Sequence, residues 1–151
     1  FALTEIMRRL FRHGEADGAC IATVYYDGKT AVLKGFTDTG NSLTEPISGV
    51  PVAVCRLDSV LKILPPNLAA VLKNRDLSTE YGVRLVPCSS VGGTVLIPAI
   101  RPQRLEIEHG GTVLEAEDVM LGFSEFAPEN TLLLGKNIIL REANKSFTEV
   151  R

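Results

Sequence analysis

The residues best suited to chemistry in this 151-residue chain follow a single predicted strand. β-Branched and aromatic residues over Thr30–Phe36 predict that strand, and Asp38-Thr39-Gly40 comes directly after it. A carboxylate at such a position can accept or donate a proton, and a glycine beside it lets another backbone approach closely. Because Asp and Gly are also ordinary turn residues, the triplet by itself indicates either a site or a plain turn.

The sequence contains few residues that could form other kinds of catalytic site. Only His13 and His109 are available for a Ser-His-Asp or Cys-His arrangement, and His109 falls in a predicted hairpin turn, where we expect a solvated ring. No Walker A loop and no strand-linked GxGxxG occurs. Glu117 and Asp118 are neighbours that would point to opposite faces of a strand, which predicts solvated charges rather than an acid–base pair. The three cysteines form no CxxC pair, which argues against structural zinc and fits a reducing compartment: Cys20, Cys55 and Cys88. We therefore expect neither a metal nor a cofactor.

Short strands separated by turn signals every ten residues or so predict a mostly-β domain with little helix. The predicted strands are Ala19–Tyr26, Thr30–Phe36, Val50–Cys55, Val83–Pro87, Thr94–Ile100, Leu105–Glu108, Thr112–Ala116 and Thr131–Leu134. Hairpin turns are predicted at Asp27-Gly28 and at His109-Gly110-Gly111. Leucine and valine spacing predicts a helix over Leu57–Leu64, stopped by Pro65-Pro66. One or two further helical turns are predicted over Asn67–Asn74, and a closing helix over Lys136–Arg141.

Composition and charge narrow the class of protein. The chain is 45% hydrophobic and 23% charged, which predicts one folded domain with an ordinary core. Sixteen basic against eighteen acidic residues leave a net charge of −2, which argues against a large nucleic-acid-binding face. No apolar run approaches the eighteen or so residues of a membrane span. The first residue is Phe1 rather than Met, so we expect a fragment of a longer protein.

Residues 1–18 differ in pattern from the rest of the chain. Apolar residues at helical spacing predict an amphipathic helix, with arginines on the remainder of its surface and a linker over Gly14–Gly18: Leu3, Ile6, Met7, Leu10 and Phe11, with Arg8, Arg9 and Arg12. One interpretation is a terminal helix packed on its own domain or on a partner. The other is a juxtamembrane connector whose cations face anionic lipid. The chain thus divides into this helix and linker (1–18) and a main domain (19–151).

A second motif near the C-terminus changes the interpretation of Asp38-Thr39-Gly40. Three leucines precede Gly135, and a cation, an asparagine and two isoleucines follow it: Leu132–Ile139. A strand running into Asp-Thr-Gly, a glycine-containing hairpin, and then this apolar–Gly–basic–Asn element resembles the retroviral-type aspartic proteases over Ala19 to about Arg141. The resemblance implies a retropepsin-like closed β-barrel with one or two short helices, a single lobe that pairs as a homodimer.

A narrower resemblance rests on Asp38–Pro46 followed by Val50-Pro51-Val52. An asparagine directly after Asp-Thr-Gly, then Leu, an acidic residue and Pro, resembles the sporulation sigma-E factor processing peptidases of endospore-forming bacteria. That resemblance implies an aspartic endopeptidase that activates the sigma-E precursor. It also implies an N-terminal membrane domain outside this chain, and a location at the cytoplasmic face of the cell membrane.

The chemistry that the resemblance implies needs two carboxyl groups. Close like charges cannot both ionise, so one group stays protonated and polarises the scissile carbonyl while the other activates water. The chain has one Asp-Thr-Gly, so Asp38 of each protomer would meet across a two-fold axis. The resemblance assigns catalytic-loop support to Thr39, Gly40, Asn41 and Gly135, with Thr39 tying the two loops together.

The glycine-containing hairpin tip resembles the mobile flap of these proteases, with a plain hairpin as the alternative: Ser89, Ser90, Val91, Gly92 and Gly93. Retroviral relatives have an acid where Ser42 stands and an arginine where Lys136 stands. Because that ion pair is absent, we expect a weak dimer, with Glu45 as a replacement partner for Lys136. A non-catalytic protease-like domain that binds a partner, and a plain β-barrel interaction module, are the alternative functions.

Overall fold

A computed structural model describes residues 19–38, 42–75, 81–90 and 92–138. The predicted helix and linker of residues 1–18 lie outside the described residues. So do Thr39, Gly40 and Asn41 of the predicted catalytic loop, Val91 of the hairpin tip, and the last part of the predicted closing helix, of which Lys136–Ile138 are helical. None of the helices in the described part is long and apolar enough to cross a membrane.

Nine strands of the described residues form one sheet, which confirms the mostly-β prediction. The strands are β1 Ala19–Tyr26, β2 Lys29–Asp38, β3 Val52–Cys55, β4 Arg84–Ser90, β5 Gly93–Ile100, β6 Arg104–His109, β7 Thr112–Ala116, β8 Met120–Phe123 and β9 Thr131–Gly135. Their order across the sheet is β4-β5-β8-β3-β9-β2-β1-β6-β7. The pairs β2–β9 and β3–β8 are parallel, and the other pairs are antiparallel.

Two tight hairpins follow directly from their turn residues. Asp27 and Gly28 connect β1 to β2 with φ of 50° and 75°, and Gly110 and Gly111 connect β6 to β7 with φ of 55° and 81°. Two successive residues with positive φ match the right-handed twist of the strands that they join, and Asp-Gly and Gly-Gly adopt them at little cost. Both hairpins are therefore confirmed.

The expectation of a closed barrel is wrong for the described residues. The sheet order begins at β4 and ends at β7, and no described pairing joins these two edges. The β4–β5 hairpin is connected to the rest of the sheet only where Ala99 and Ile100 pair with β8. Strand β4 pairs only with β5 among the described strands, so its other edge is unpaired within the part of the chain that the structure describes.

One face of the sheet carries the main core, which the helical segment between β3 and β4 covers. The predicted helix over Leu57–Leu64 forms two 3₁₀ turns instead, Leu57–Ser59 and Leu61–Ile63, because the backbone at Val60 (φ −127°, ψ 5°) leaves the helical region. Helix α1 then covers Pro66–Lys73, close to the helical turns predicted over Asn67–Asn74. Proline suits that first position, since its missing N–H would have no partner in the helix.

Candidate functional site

The parallel pairing of β2 with β9 brings the two sequence motifs together. Asp38, the last residue of β2, lies directly opposite Gly135, the last residue of β9. A hydrogen bond of 2.9 Å from the Lys34 N–H to the Asn130 carbonyl fixes the start of this pairing. Of the predicted site residues, the structure therefore places Asp38 beside Gly135.

The end of β2 at Asp38 is supported by the buried neighbouring strand β9. Strand β9 lies between β2 and β3, and its Leu132 and Leu134 are fully buried in the main core. All residues of β9 are buried except Leu133, which is partly buried against a second apolar cluster. Local opening of such a central strand costs more free energy than opening of an edge strand. Thr37, opposite Leu134, has a buried hydroxyl oxygen without a hydrogen-bond partner among the described residues. Buried polar atoms without a hydrogen-bond partner are rare in folded proteins and call for an explanation other than packing. The Thr37 hydroxyl is such an atom, and Thr37 directly precedes Asp38.

The segment after the predicted catalytic loop is a small hairpin. The Val52 N–H donates to the Leu43 carbonyl at 2.9 Å, and the Glu45 N–H donates to the Val50 carbonyl at 2.8 Å. Gly49 closes the turn with φ of 72°, a conformation that favours glycine. The hairpin leads into β3, which is buried along its whole length.

Glu45 holds this turn from inside. Its side chain is buried, and its Oε2 accepts hydrogen bonds from the backbone N–H groups of Ile47 and Ser48, the second at 3.3 Å. The expectation that Glu45 pairs with Lys136 is therefore wrong, and the Lys136 side chain is exposed. Two N–H donors two and three residues away satisfy the carboxylate without the entropy cost of ordering a long lysine side chain.

Asn137 is a residue whose role the sequence reasoning missed. Its Nδ2 donates to the Leu43 carbonyl at 3.3 Å, and its Oδ1 accepts from the Ile138 N–H at 3.0 Å. Asn137 thereby connects the end of β9 to the segment that follows the predicted catalytic loop. The signal was the Gly-Lys-Asn of the C-terminal motif, because an amide side chain can donate and accept at once.

The predicted flap is a hairpin that extends beyond the sheet. Strands β4 and β5 pair from Arg84↔Ala99 to Ser90↔Gly93, which leaves a two-residue tip. Val95 and Leu96 are neighbours in β5 and both are about half exposed. Because adjacent strand residues point to opposite faces, solvent reaches both faces of this hairpin. The hairpin is confirmed, and its role as a flap stays a prediction.

Two of the three thiols are unsuited to nucleophilic chemistry. Burial raises the pKa of Cys20 to about 11 and that of Cys55 to about 12, with a smaller contribution to Cys55 from the nearby carboxylate of Asp58. Both therefore stay protonated near neutral pH, and the thiolate is the reactive form. His109, expected to be solvated, is half-buried and its Nδ1 lies 2.8 Å from the Ala19 carbonyl oxygen, to which it can donate.

Comparison with known proteins decides the family. Residues 5–131 match the family described as sporulation factor SpoIIGA, peptidase family U4. The chain belongs to this family. It is 33% identical over 106 residues to a sporulation sigma-E factor-processing peptidase of Priestia megaterium, an alignment that covers 64% of this chain and 34% of that relative. It is 26% identical over 102 residues to a Bacillus thuringiensis subsp. kurstaki protein provisionally named a sporulation sigma factor-processing peptidase, covering 61% of this chain and 63% of the relative.

The extent of these matches bears on the site. The chain spans about a third of the length of the first relative and less than two thirds of the second. The family match includes Asp38, the Glu45 turn and the β4–β5 hairpin, and it ends at residue 131, before Gly135 and Asn137. The narrower of the two sequence resemblances, carried by residues 38–52, is thus confirmed at the level of the family.

Proposed function

We propose that this domain is an aspartic endopeptidase that cleaves a sporulation sigma-factor precursor, with Asp38 of two copies as its catalytic pair. Family membership and the names of the two relatives support a protease that processes a sigma factor. The observation that carries the aspartic assignment is the parallel pairing of β2 and β9, which sets Asp38 opposite Gly135. Membrane attachment and a location at the cytoplasmic face stay predictions from the sequence.

The proposed reaction needs one ionised and one protonated carboxyl group. The ionised carboxylate takes a proton from the attacking water, and the protonated carboxyl group donates a hydrogen bond to the scissile carbonyl oxygen. One carboxyl group then returns a proton to the leaving amine. The two groups titrate as a coupled pair, so neither residue has a pKa value of its own.

A second copy is the proposed source of the second carboxyl group. The residue opposite Asp38 in the sheet is a glycine, so its direct neighbour strand supplies backbone and no acid. A two-fold axis through the loop that begins at Asp38 would bring an identical carboxylate to the first. The missing side chain at Gly135 leaves room for close approach there.

The β4–β5 hairpin is the proposed cover of the bound peptide. It is joined to the sheet over two residues only, and its outer part is exposed on both faces. Backbone groups of such a hairpin can hydrogen-bond an extended peptide, and closure excludes water from the reaction. The face of the hairpin that closes over the peptide would then present either Val95 or Leu96 to apolar side chains of the substrate.

Co-expression with a sigma-factor precursor tests the proposal directly. Asp38→Asn keeps the size of the side chain but removes its ionisation, so we expect processing, scored as a size shift of the precursor, to fall by at least about a thousandfold. Asp58→Asn is the matched control, because its partly exposed side chain pairs with Arg56 on a 3₁₀ turn, and wild-type processing is expected. Retained processing by a folded Asp38→Asn chain would refute the aspartic mechanism.

Mixing the two chains tests the shared site. If each active site needs two copies of Asp38, an excess of Asp38→Asn chain captures wild-type chains in inactive pairs. Processing per wild-type chain then falls as the variant is added, whereas an excess of the Asp58→Asn chain does not lower it. Processing that is unaffected by excess Asp38→Asn chain would contradict the dimer and leave the aspartic assignment to stand on the first experiment.

A further inference from the structure

The turn at residues 45–49 presents one large apolar side chain to solvent on a well-anchored backbone. Ile47 is 82% exposed within this turn. The two legs of the turn are held in the protein, because Val50 is buried in the second apolar cluster, which β3, β4, β5 and β8 share, and Leu43 packs against it. Between the legs, the buried Glu45 carboxylate accepts a hydrogen bond from the N–H of Ile47 itself. The backbone of Ile47 is therefore fixed, while most of its side chain faces solvent.

The turn lies at the end of the sheet where β2 ends. Strand β3 runs antiparallel to β9, with Val54 opposite Leu133. That register sets Val52 at the level of Gly135, and Asp38 lies opposite Gly135 on the other side of β9. Asp38 and Val52 are thus two strand spacings apart, which is roughly 10 Å.

The hairpin that precedes β3 continues past the level of Asp38. Beyond Val52, Thr44 pairs with Pro51, and the turn that carries Ile47 follows. Three residues of extended chain rise roughly 10 Å. Combined with the sideways offset, this rise puts the turn roughly 14 Å from the end of β2. An extended peptide covers that distance in about four residues.

We propose that Ile47 is a specificity-determining residue that contacts an apolar side chain of the precursor about four residues from the bond that is cleaved. This inference rests on the proposed function, because it takes Asp38 as the position of that bond. A single exposed apolar residue needs no explanation, but a buried carboxylate and two anchored legs that hold its backbone do. Such preorganisation lowers the entropy cost of binding, so a fixed apolar contact can discriminate between substrates.

Co-expression with the precursor tests whether Ile47 contributes to recognition. Ile47→Arg places a charge at the apolar contact, so we expect the initial rate of processing to fall by about tenfold or more. Ile47→Leu keeps an apolar side chain and should process at close to the wild-type rate. Phe126→Arg is the matched control, because Phe126 is 92% exposed in the loop before β9, at the opposite end of that strand from Gly135, and wild-type processing is expected.

A charge exchange separates a lost contact from a damaged turn. In a set of precursor variants, each apolar residue about three to five positions from the cleaved bond is replaced by Asp. On one of them the Ile47→Arg chain should process faster than the wild-type chain, because its guanidinium can pair with the new carboxylate. The ratio of the two rates should then change by about tenfold or more relative to the unaltered precursor. Urea unfolding of the 151-residue chain should give the same midpoint for wild type and Ile47→Arg, since the side chain is exposed.

Two results would overturn the inference. One is processing of the unaltered precursor by the Ile47→Arg chain at the wild-type rate. The other is an equal loss on every precursor variant, because a damaged turn, unlike a lost contact, favours no particular substrate position. Retained processing by the Asp38→Asn chain would instead refute the catalytic assignment. Because that result comes from a different variant on the same precursors, the two failures are distinguishable.

Discussion

The turn held by Glu45 offers the sharpest structural prediction, because one buried carboxylate supports the whole connection from the predicted catalytic loop to β3. Replacing Glu45 by Ala removes the acceptor for two backbone N–H groups. Hydrogen bonds to a charged group contribute about 1.5–3 kcal/mol each, but Ile47 is largely exposed, so water can reach the freed donors. We expect the free energy of unfolding to fall by about 2 kcal/mol.

Two further substitutions separate the hydrogen bonds from the loss of side-chain volume. Glu45→Gln keeps a neutral oxygen acceptor, and neutral hydrogen bonds are roughly half as strong, so we expect a loss of about 1 kcal/mol. Glu125→Ala is the control, because its exposed carboxylate lies 3.4 Å from an exposed Arg75 guanidinium and should contribute less than about 0.5 kcal/mol.

Urea unfolding followed by circular dichroism measures these differences, with the slope of the transition checked for constancy. Precursor processing should fall in the same order, since the turn positions Leu43, which Asn137 contacts. Equal stability of Glu45→Ala and Glu125→Ala would refute the role of the carboxylate. A loss in Glu45→Gln as large as in Glu45→Ala would show that charge, and not hydrogen-bond acceptance, holds the turn.

The remaining predictions concern the core and the end of β9. Gly35→Ala should lower the free energy of unfolding by about 1–3 kcal/mol, because a Cβ there would lie 2.5 Å from Cys20 Sγ; adding Cys20→Ala should recover much of that loss in urea titrations. The raised pKa of Cys20 and Cys55 means that the unfolded chain loses protons first as pH rises, so stability should be complete below about pH 9 and decline toward pH 11–12; a chain with Cys20→Ala should show a shallower decline. Asn137→Ala should lower the rate of precursor processing while leaving the midpoint of thermal unfolding nearly unchanged.

Local structure was predictable where local chemistry determines it. The Asp27-Gly28 and Gly110-Gly111 turns need positive φ at two successive residues, which few other residue pairs supply, so both hairpins were predicted in place. The sequence predicts one or two helical turns over Asn67–Asn74, and helix α1 covers most of that range, beginning at Pro66, whose fixed φ suits the first helical position. The two 3₁₀ turns over Leu57–Leu64 could not be predicted in this way. The apolar spacing of this segment fits a helix and two 3₁₀ turns equally well, and packing against the core determines which of them forms.

Long-range pairing was harder to predict, since it depends on which strands meet. The family resemblance implies a closed barrel, whereas the described sheet has two edges because its end strands, β4 and β7, do not pair with each other. The sequence predicts Lys136 as the partner of Glu45, whereas the donors to its carboxylate lie in its own turn. The Glu45 carboxylate binds adjacent backbone N–H groups rather than a distant lysine because these groups are already ordered in the turn. An ion pair with a flexible lysine would cost additional side-chain entropy.

The position of β9 explains why two motifs so far apart in sequence belong to one site. It lies between β2 and β3, runs parallel to β2, and ends at the same level, so that its last residue meets Asp38. Asn137, two residues after Gly135, donates a hydrogen bond to the carbonyl of Leu43, which follows the predicted catalytic loop in the chain. The described residues of the C-terminal motif therefore position the end of β2: buried leucines hold β9 in the core, a glycine lies opposite Asp38, and an amide contacts the segment at Leu43. Substitutions that destabilise β9 should consequently lower precursor processing although they do not alter Asp38 or contact it. This distinguishes a supporting element from the proposed catalytic residue.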